Sequence, residues 1–483
     1  MKLPIALCLP VIFSLFGAVL LGQPANPAPL PNVILILADD VGWGDLGCYG
    51  GKIKTPHLDA LAKDGVRFTD SHATAAVCTP TRYSILTGEY SWRVNATGLN
   101  KGVSSGESPL LVPTDRLTLP KMMQQAGYRT AAIGKWHLGF GNTKPDYNAE
   151  LKPGPLEIGF DEFFGFPATN DRMPTVYVRN HRVVGLDPAD PIRLSYDDEV
   201  AKKEGLERIA AGRQRIGWMS GGKSAWWKDT TIGRTFTEEA VKFIDNSKDR
   251  PFFLYLATHA VHAPPIPDPA FAGRSGLGSR ADMMMDLDAM VGKLLATLES
   301  KGLSQNTLIF FTSDNGAYVT KEKDHRPNGP YRGEKSQLWE GGHRGPMIAR
   351  WPAKLKPAVS SRLIGTIDIP ATLASVVGLP SSPGRFPDSH DLLPDLLGTA
   401  SAPVRDHLIV MSGTGELAVR QGKWKYIPDL GKAFGWKGWK KKPGGLAGPG
   451  LYDLEADPGE INNLHKTQPE VSKRLAKLLE ASS

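Results

Sequence analysis

Short runs of consecutive apolar residues recur along the chain and are separated by segments with a different pattern. The clearest runs occupy residues 33–38, 130–133, 252–257 and 308–311. A run of four to seven apolar residues without polar alternation is typical of a strand that is buried on both faces. The pattern therefore predicts at least four strands in the interior of one sheet.

The segments between these runs carry apolar residues at every third or fourth position, which predicts helices. They are residues 55–62, 235–244 and 281–298. The first segment has a proline at the expected first turn, and Gly302 follows the last one. Buried strands that alternate with helices indicate an α/β fold with a large, mixed, mostly parallel central sheet flanked by helices.

The C-terminal part has a different pattern. Residues 416–420 and 423–427 alternate around Gln421-Gly422 as a hairpin does, and residues 471–479 have helical spacing. Because 483 residues are long for a single core, we expect two units after the N-terminal leader. These are a large domain over residues 32–378 and a smaller α+β subdomain with an antiparallel sheet over residues 379–483.

Polar residues follow each predicted strand at its carboxyl end. They are Asp39 and Asp40, Lys135 and His137, His259 and His262, and Asp314 and Asn315. Any one of these clusters could be an ordinary strand-end turn, since Asp and Asn favour turns. In open α/β sheets, however, ligands bind outside the carboxyl ends of the strands. We therefore expect the four clusters to meet at one edge of the sheet and to form a site.

The acidic members of this set predict a metal site. Asp39, Asp40 and Asp314 offer carboxylates and Asn315 offers an amide oxygen. Such oxygen ligands suit Ca²⁺ or Mg²⁺, whereas zinc prefers histidine and cysteine. Because the site is predicted at strand ends and outside the core, we expect that Asp314 can be replaced without disturbing the fold.

The N-terminus and the composition indicate an exported globular protein. Lys2 precedes an apolar stretch that ends near Leu21, which predicts a signal peptide over residues 1–22; an uncleaved membrane anchor is the alternative. We expect a periplasmic or extracellular protein, with no membrane contact after cleavage. The hydrophobic fraction of 41% is ordinary, and the formal charge of +7 suits an anionic substrate but is too small and dispersed for nucleic acid.

The most specific motif is C-T-P-T-R at residues 78–82, followed by L-T-G at 86–88. Alone, it could be a buried cysteine at a loop-to-helix junction with Arg82 as a cap. Further motifs follow it in order: G-K-W-H-L-G at 134–139, V-H-A-P at 261–264, S-D-N-G at 313–316, G-E-K-S-Q-L-W-E-G-G-H-R-G-P at 333–346, and L-Y-D-L at 451–454. Together they resemble the type I sulfatases, arylsulfatase-like members of the alkaline phosphatase superfamily, over residues 32–464.

The resemblance implies that Cys78 is not a thiol nucleophile. In this family a maturation enzyme oxidises the cysteine to Cα-formylglycine, whose hydrate attacks the sulfur of a sulfate ester. The implied metal is calcium rather than magnesium. Its implied ligands are Asp39, Asp40, residue 78 after oxidation, Asp314 and Asn315.

The remaining roles are also carried over by resemblance. Lys135 and Lys335 are expected to bind the sulfate oxygens, and Arg82 is expected to help neutralise the sulfate charge. His137 is expected to hold the hydrated aldehyde and take a proton from it. His262 is expected to contact the substrate and protonate the departing alcohol.

Two positions depart from the family pattern. Thr81 stands where serine or alanine is usual, and Glu89 stands where arginine is common, which removes a positive charge near the cysteine. If Cys78 is oxidised, Cys48 has no partner in the mature chain and no disulfide is possible.

The substrate is less well defined by the sequence. Trp218, Trp226 and Trp227, with Lys223 and Lys228, suit a sulfated sugar; the alternative is a surface insertion that these tryptophans pack. Residues 423–442 also interleave tryptophan with lysine, and could contact a polyanionic glycan or form a solvated loop. We expect hydrolysis of sulfate monoesters on a sulfated carbohydrate. The alternatives are a phosphate or phosphonate ester hydrolase of the same superfamily, and a non-catalytic carbohydrate-binding relative, which should lack Cys78 or a metal ligand.

Overall fold

The computed structural model describes residues 1, 29–96, 98–207, 215–247, 249–319, 325–379, 384–435 and 446–482. Apart from Met1, the predicted signal peptide lies outside these residues, as do residues 436–442 of the Trp/Lys-rich segment. Among the described residues, no helix has the length and apolar character needed to cross a membrane.

The regular elements are numbered in chain order. The strands are β1 (Asn32–Ala38), β2 (Val66–Phe68), β3 (Ser71–His72), β4 (Arg129–Lys135), β5 (Glu162–Phe166), β6 (Val178–Arg179), β7 (Arg182–Val183), β8 (Arg193–Ser195), β9 (Trp218–Ser220), β10 (Phe252–Ala257), β11 (Thr307–Ser313), β12 (Met347–Arg350), β13 (Ala358–Ser360), β14 (Ile364–Gly365), β15 (Leu408–Met411), β16 (Leu417–Gln421), β17 (Trp424–Ile427) and β18 (Gly450–Asp453). The α-helices are α1 (Pro56–Lys63), α2 (Cys78–Thr87), α3 (Leu119–Gln125), α4 (Asp198–Lys203), α5 (Ile232–Asn246), α6 (Ser279–Ser300), α7 (Glu340–His343), α8 (Ile369–Val376), α9 (Leu393–Leu396) and α10 (Pro469–Ser482).

A ten-stranded sheet forms the centre of the molecule, in the order β13-β2-β12-β11-β1-β10-β4-β5-β6-β7. The five strands from β11 to β5 are mutually parallel, and antiparallel pairs flank them on both sides. The four predicted interior strands are β1, β4, β10 and β11, so the prediction of a mixed, mostly parallel α/β sheet is confirmed.

Strand β1 shows why a fully apolar run suits this position. Its alternate residues enter different cores: Val33 and Leu35 pack on one face of the sheet, and Ile34 and Ile36 pack on the other. Helices α1, α5 and α6 cover the second face, and α2, α3 and α8 cover the first. Both faces of the strand are therefore shielded from water, which explains why polar and apolar residues do not alternate along β1.

The smaller sheet is antiparallel, in the order β15-β16-β17-β18, and α10 packs against it. The predicted hairpin is present, with Gln421 opposite Trp424 and Val419 opposite Tyr426. Between residue 379 and β15, Leu392 and Leu396 pack into the core of the large sheet. The boundary at residue 379 therefore stays a prediction, because this connecting segment belongs by packing to the larger core.

A buried network of ion pairs joins the small sheet to the large one. Glu340, in α7, pairs with Arg420 of β16 at 2.7 Å and with Lys425 of β17 at 3.1 Å. Glu460 also accepts from Lys425, at 2.9 Å. These charges are almost completely withdrawn from solvent, so the two sheets must hold a fixed relative position for each charge to keep its partner.

Candidate active site

The polar clusters that follow the central strands meet at one edge of the large sheet. Asp39 and Asp40 follow β1, Lys135 ends β4, and Asp314 follows β11. These strands are parallel, so their carboxyl ends share one edge, as expected from the sequence. His259, the less favoured histidine after β10, is buried beside the ring of Phe236 and does not line the cavity described below.

Helix α2 brings Cys78 to this edge. Cys78 is its first residue, and every residue of the helix is buried. The Cys78 Sγ atom lies 3.7 Å from the Asp39 carboxylate, and Arg82, one turn further along, reaches the same cluster. Burial raises the pKa of the Cys78 thiol to about 12, although Lys135 and Lys335 act against the shift. An unmodified Cys78 is therefore a neutral thiol at physiological pH.

Three carboxylates and three cationic side chains pair within the site, and all are buried. The pairs are Arg82 with Asp314 (two hydrogen bonds, 2.9 and 2.6 Å), Lys135 with Asp39 (2.6 Å) and Lys335 with Asp40 (2.5 Å). The expectation that Asp314 lies outside the core is wrong, because its exposed fraction is 0% and it neutralises a wholly buried guanidinium. Removing its carboxylate would leave that guanidinium unpaired, which is strongly destabilising in a protein interior.

The electrostatics of the carboxylates favour a divalent cation. Burial raises the pKa of Asp40, but Lys335 and the neighbouring cations outweigh this effect and hold it well below the usual range. Burial and the adjacent Asp39 carboxylate raise the pKa of Asp314, despite its contact with Arg82. A divalent cation among these oxygens would relieve that repulsion.

The donor set also fits a hard cation. Asn315 Nδ2 donates to Asp40 at 2.7 Å and to the Gly316 carbonyl, which fixes the amide, while its buried Oδ1 has no hydrogen-bond partner among the described residues. Ligand atoms of Asp39, Asp40, Cys78 and His262 lie within 4.8 Å of one another. The carboxylates of this cluster and the Asn315 amide oxygen are of the ligand types that calcium prefers. Asp314, another expected ligand, is not part of the cluster.

His137 is held with one ring nitrogen available. Its Nε2 atom lies 2.9 Å from the Ser104 carbonyl, so this nitrogen carries the proton, and the buried Nδ1 has no partner among the described residues. Burial, helped by Lys135, keeps the pKa of His137 well below its usual value. The imidazole is therefore neutral and offers a free acceptor.

His262 has the opposite tautomer. Its Nδ1–H donates to the Ala263 carbonyl at 2.7 Å, and Nε2 lies 3.9 Å from an Asp40 oxygen. Burial, with Lys335, lowers the pKa of His262 to about 4. In this state Nε2 can accept a proton but cannot donate one, so the general-acid role stays a prediction that requires protonation when the substrate binds.

A cavity of about 490 Å³ opens over these groups. Asp40, Cys78, His137, His262 and Lys335 line it, as the sequence analysis anticipated. The wall also contains residues that the sequence analysis did not identify: Asp171, Arg172, Val103, Ile216 and Tyr318. They lie on loops rather than in recognised motifs, so no local pattern marked them.

Asp171 and Arg172 form a charged pair at the cavity, with 2.7 Å between the guanidinium and the carboxylate. Both lie in the insertion that follows β5, the segment in which the sequence analysis looked for substrate contacts. Two of the three tryptophans considered there, Trp226 and Trp227, serve packing instead. Trp227 is buried between Phe166 and Tyr177, Trp226 packs against the large core, and neither lines the cavity.

Comparisons with known proteins agree with this geometry. The family model described as Sulfatase matches residues 31–379. The chain is 43% identical to N-acetylgalactosamine-6-O-sulfatase of Bacteroides thetaiotaomicron, covering 93% of each chain, and 35% identical to human arylsulfatase A, covering 90% of this chain and 83% of that one.

Solved structures show the same similarity. A structure from work on the metabolism of multiple glycosaminoglycans by B. thetaiotaomicron superposes with a TM-score of 0.87 at 43% identity, covering 94% of this chain and 99% of that one. A phosphonate monoester hydrolase of Agrobacterium radiobacter shares the fold, with a TM-score of 0.58 at 19% identity over 94% and 95% of the two chains.

Proposed function

Because the chain belongs to the sulfatase family and is a sulfuric ester hydrolase, we propose that it removes sulfate from a sulfated hexosamine of a glycosaminoglycan, with formylglycine at position 78 and bound calcium. One observation carries this proposal: Cys78 lines the cavity at the start of a buried helix, 3.7 Å from Asp39, which is itself paired with Lys135. Burial keeps the Cys78 thiol neutral by raising its pKa. A neutral thiol is a poor nucleophile, which supports a different reactive group at this position.

The charge count of the site favours an anionic substrate. Asp39, Asp40 and Asp314 balance Lys135, Lys335 and Arg82, so these six groups have no formal net charge. A divalent cation would give them a net charge of +2. Since these groups are shielded from water, that excess would act strongly on a sulfate group in the cavity.

The residues of this chain have distinct tasks in such a reaction. Formylglycine, when present and hydrated, supplies one hydroxyl that attacks sulfur and a second that allows sulfate to leave, and calcium supplies positive charge at these oxygens. Lys335 and Lys135 neutralise and orient the sulfate oxygens. Arg82 fixes Asp314, and His137 Nδ1 accepts the proton of the second hydroxyl. His262, once protonated, gives a proton to the alcohol that departs.

The cavity supports a sugar as the alcohol part of the substrate. Arg172 offers donors and Asp171 offers acceptors, at the same wall. Such a pair can bind neighbouring hydroxyl groups of a sugar ring, and Val103 and Ile216 provide apolar surface beside it. The relatives named for N-acetylgalactosamine-6-sulfate esters support a hexosamine.

The proposal is tested by comparing esters that differ only in the acid group. We expect release of sulfate from 6-sulfated N-acetylgalactosamine, with a kcat/KM at least about 100-fold above that for the corresponding phosphate ester, because the metal and both lysines are arranged around one sulfate group. Faster release of phosphate or phosphonate would instead favour the alternative hydrolase function. An aryl sulfate serves as a third substrate that reports the chemistry without the sugar.

Arg172 should contribute to recognition of the sugar more than to the chemical step. We expect Arg172→Ala to raise KM for the sulfated hexosamine by roughly tenfold, since a buried hydroxyl partner is lost, and to change the kinetics on an aryl sulfate much less. Arg182→Ala removes an equally charged but exposed side chain that does not line the cavity, and is the matched control. Equal losses on both substrates would assign Arg172 to sulfate binding instead.

A further inference from the structure

A second, larger cleft lies between the large core and the small antiparallel sheet. Its volume is about 880 Å³, compared with about 490 Å³ for the catalytic cavity. One wall comes from the turns after β2 and β13, and the other from the β16–β17 hairpin and α10. None of its lining residues is shared with the catalytic cavity.

Topology places this cleft on the same sheet edge as the catalytic site. Strand β2 is antiparallel to β12, which is antiparallel to β11, so β2 runs in the direction of β11 and β1. Asp70 therefore lies beyond the carboxyl end of β2, at the edge where Asp39 follows β1. Three strand positions separate β2 from β1, a lateral distance of roughly 15 Å at about 4.8 Å per strand.

The inner wall is built from buried arginines. Arg344 and Arg420 both hold Asp70 and Glu340, at 2.7–3.1 Å. The Nε–H group of each guanidinium is buried and has no partner among the described residues. Because these Nε atoms are themselves shielded from the cleft, what both arginines contribute to its wall is the positive charge of their guanidinium groups.

The outer rim adds cations and an aromatic ring. Lys423 lies over the ring of Trp424, 4.9 Å from its centre, and is also paired with Asp453. Arg474, on α10, is exposed and hydrogen-bonded to Gln421, and no carboxylate pairs with it in the part of the chain that the structure describes. Cations beside an aromatic ring suit a sugar that carries an acidic substituent.

Not every charge in the wall is available. Arg362 and Arg405 are committed to Asp395 and Asp368. The carboxylates of Asp406 and Glu455 also line the cleft, and they can accept hydrogen bonds from sugar hydroxyls. The wall therefore combines donors for an anionic group with acceptors for hydroxyls, which a free inorganic anion would not use.

We propose that this cleft is a second binding site for a sulfated glycan, which holds a segment of the polymer away from the sugar that is being desulfated. The choice of a sulfated glycan rests on the proposed function, whereas the binding itself does not. The proposal also accounts for Lys423 and Trp424 at the start of the Trp/Lys-rich segment, which the catalytic cavity does not use.

The test compares a long substrate with a short one. We expect Lys423→Ala with Arg474→Ala to raise KM for a sulfated glycosaminoglycan oligosaccharide about tenfold, with kcat and the KM for an aryl sulfate unchanged, because only the oligosaccharide can reach both sites. Lys473→Ala, which removes a neighbouring exposed charge of α10 outside the cleft lining, is the matched control. Equal KM values for the double variant and this control would overturn the proposal.

Direct binding separates this proposal from the catalytic one. In a Cys78→Ala background, the same two substitutions should weaken binding of the sulfated oligosaccharide about tenfold, whether or not the protein hydrolyses sulfate esters. Chemically desulfated oligosaccharide should bind weakly to the protein with an unsubstituted cleft. Its affinity should be no higher than that of the sulfated oligosaccharide for the doubly substituted protein. Two results would contradict a sulfated-glycan site. One is binding of desulfated oligosaccharide that is as tight as binding of the sulfated one. The other is displacement of the oligosaccharide from the cleft by inorganic sulfate at equal concentration.

Discussion

Cys78→Ala should abolish turnover, with a fall in kcat of roughly 10⁴-fold or more, since removal of a covalent nucleophile leaves only binding and electrostatic effects. The side chain that is lost is small, and its Sγ contacts Asp39 only at 3.7 Å. The charged pairs around it should therefore persist, and the variant should still bind sulfate. Cys48→Ala is the matched control, because Cys48 is a half-buried free cysteine outside the cavity lining, and it should remain active.

Cys78→Ser separates a formylglycine mechanism from an ordinary nucleophile. A serine hydroxyl could attack sulfur once, but it has no second hydroxyl on the same carbon to release the sulfate. We expect a sulfated, inactive protein whose mass increases by one SO3 unit, since the serine oxygen becomes the ester oxygen and its proton leaves with the alcohol. The mass of the peptide containing residue 78 in active wild-type protein should show an aldehyde, lighter than the thiol by an exchange of sulfur for oxygen and by two hydrogens. Full activity with an unmodified thiol at position 78 would falsify the mechanism.

Removing calcium should have the second largest effect. We expect a chelator to lower kcat/KM by roughly 10²–10³-fold, because a preorganised charge at the reacting oxygens is lost. Asn315→Ala should weaken calcium binding, since it deletes a buried amide oxygen of the site that has no partner among the described residues, while leaving the Arg82–Asp314 pair in place. It is therefore a better test than Asp314→Ala, which would also leave Arg82 uncompensated.

Thermal unfolding gives a measurement that is independent of activity. Calcium should raise the melting temperature of the wild type in proportion to the logarithm of its concentration, as expected for a ligand that binds only the folded state. Asn315→Ala should need much more calcium for the same shift, whereas Asn462→Ala, at an exposed position, should behave as the wild type does. Full turnover in excess chelator would show that the metal has no catalytic role.

The convergence of the polar clusters was predictable because it depends on two local signals. A run such as 252–257 can only be buried on both faces, and buried strands joined by helices are parallel. Parallel strands bring their carboxyl ends to one edge of the sheet, so Asp40 and Asp314 meet although 274 positions of the chain separate them.

The substrate wall was not predictable in the same way. Asp171 and Arg172 lie in a loop whose path depends on packing of the whole insertion, and neither residue type marks a motif. Tryptophan is conspicuous in a sequence, but Trp227 fills the core because a large apolar ring gains more from burial than from solvent contact. The burial of Asp314 was missed for a related reason: a residue at a strand end is exposed only if nothing covers that edge, and here α2 covers it.

The complete burial of α2 also has a consequence for the order of events during biosynthesis. In the folded chain Cys78, Thr79, Thr81 and Arg82 are at most 1% exposed and Pro80 is buried. If position 78 carries formylglycine as proposed, an enzyme that oxidises Cys78 would have to act before this helix folds. Under that proposal, oxidation and folding would compete for the same nascent molecule, and faster folding would leave a smaller fraction of the molecules converted. A substitution that stabilises the region around α2 could then lower the specific activity of a preparation while every finished active site remains intact.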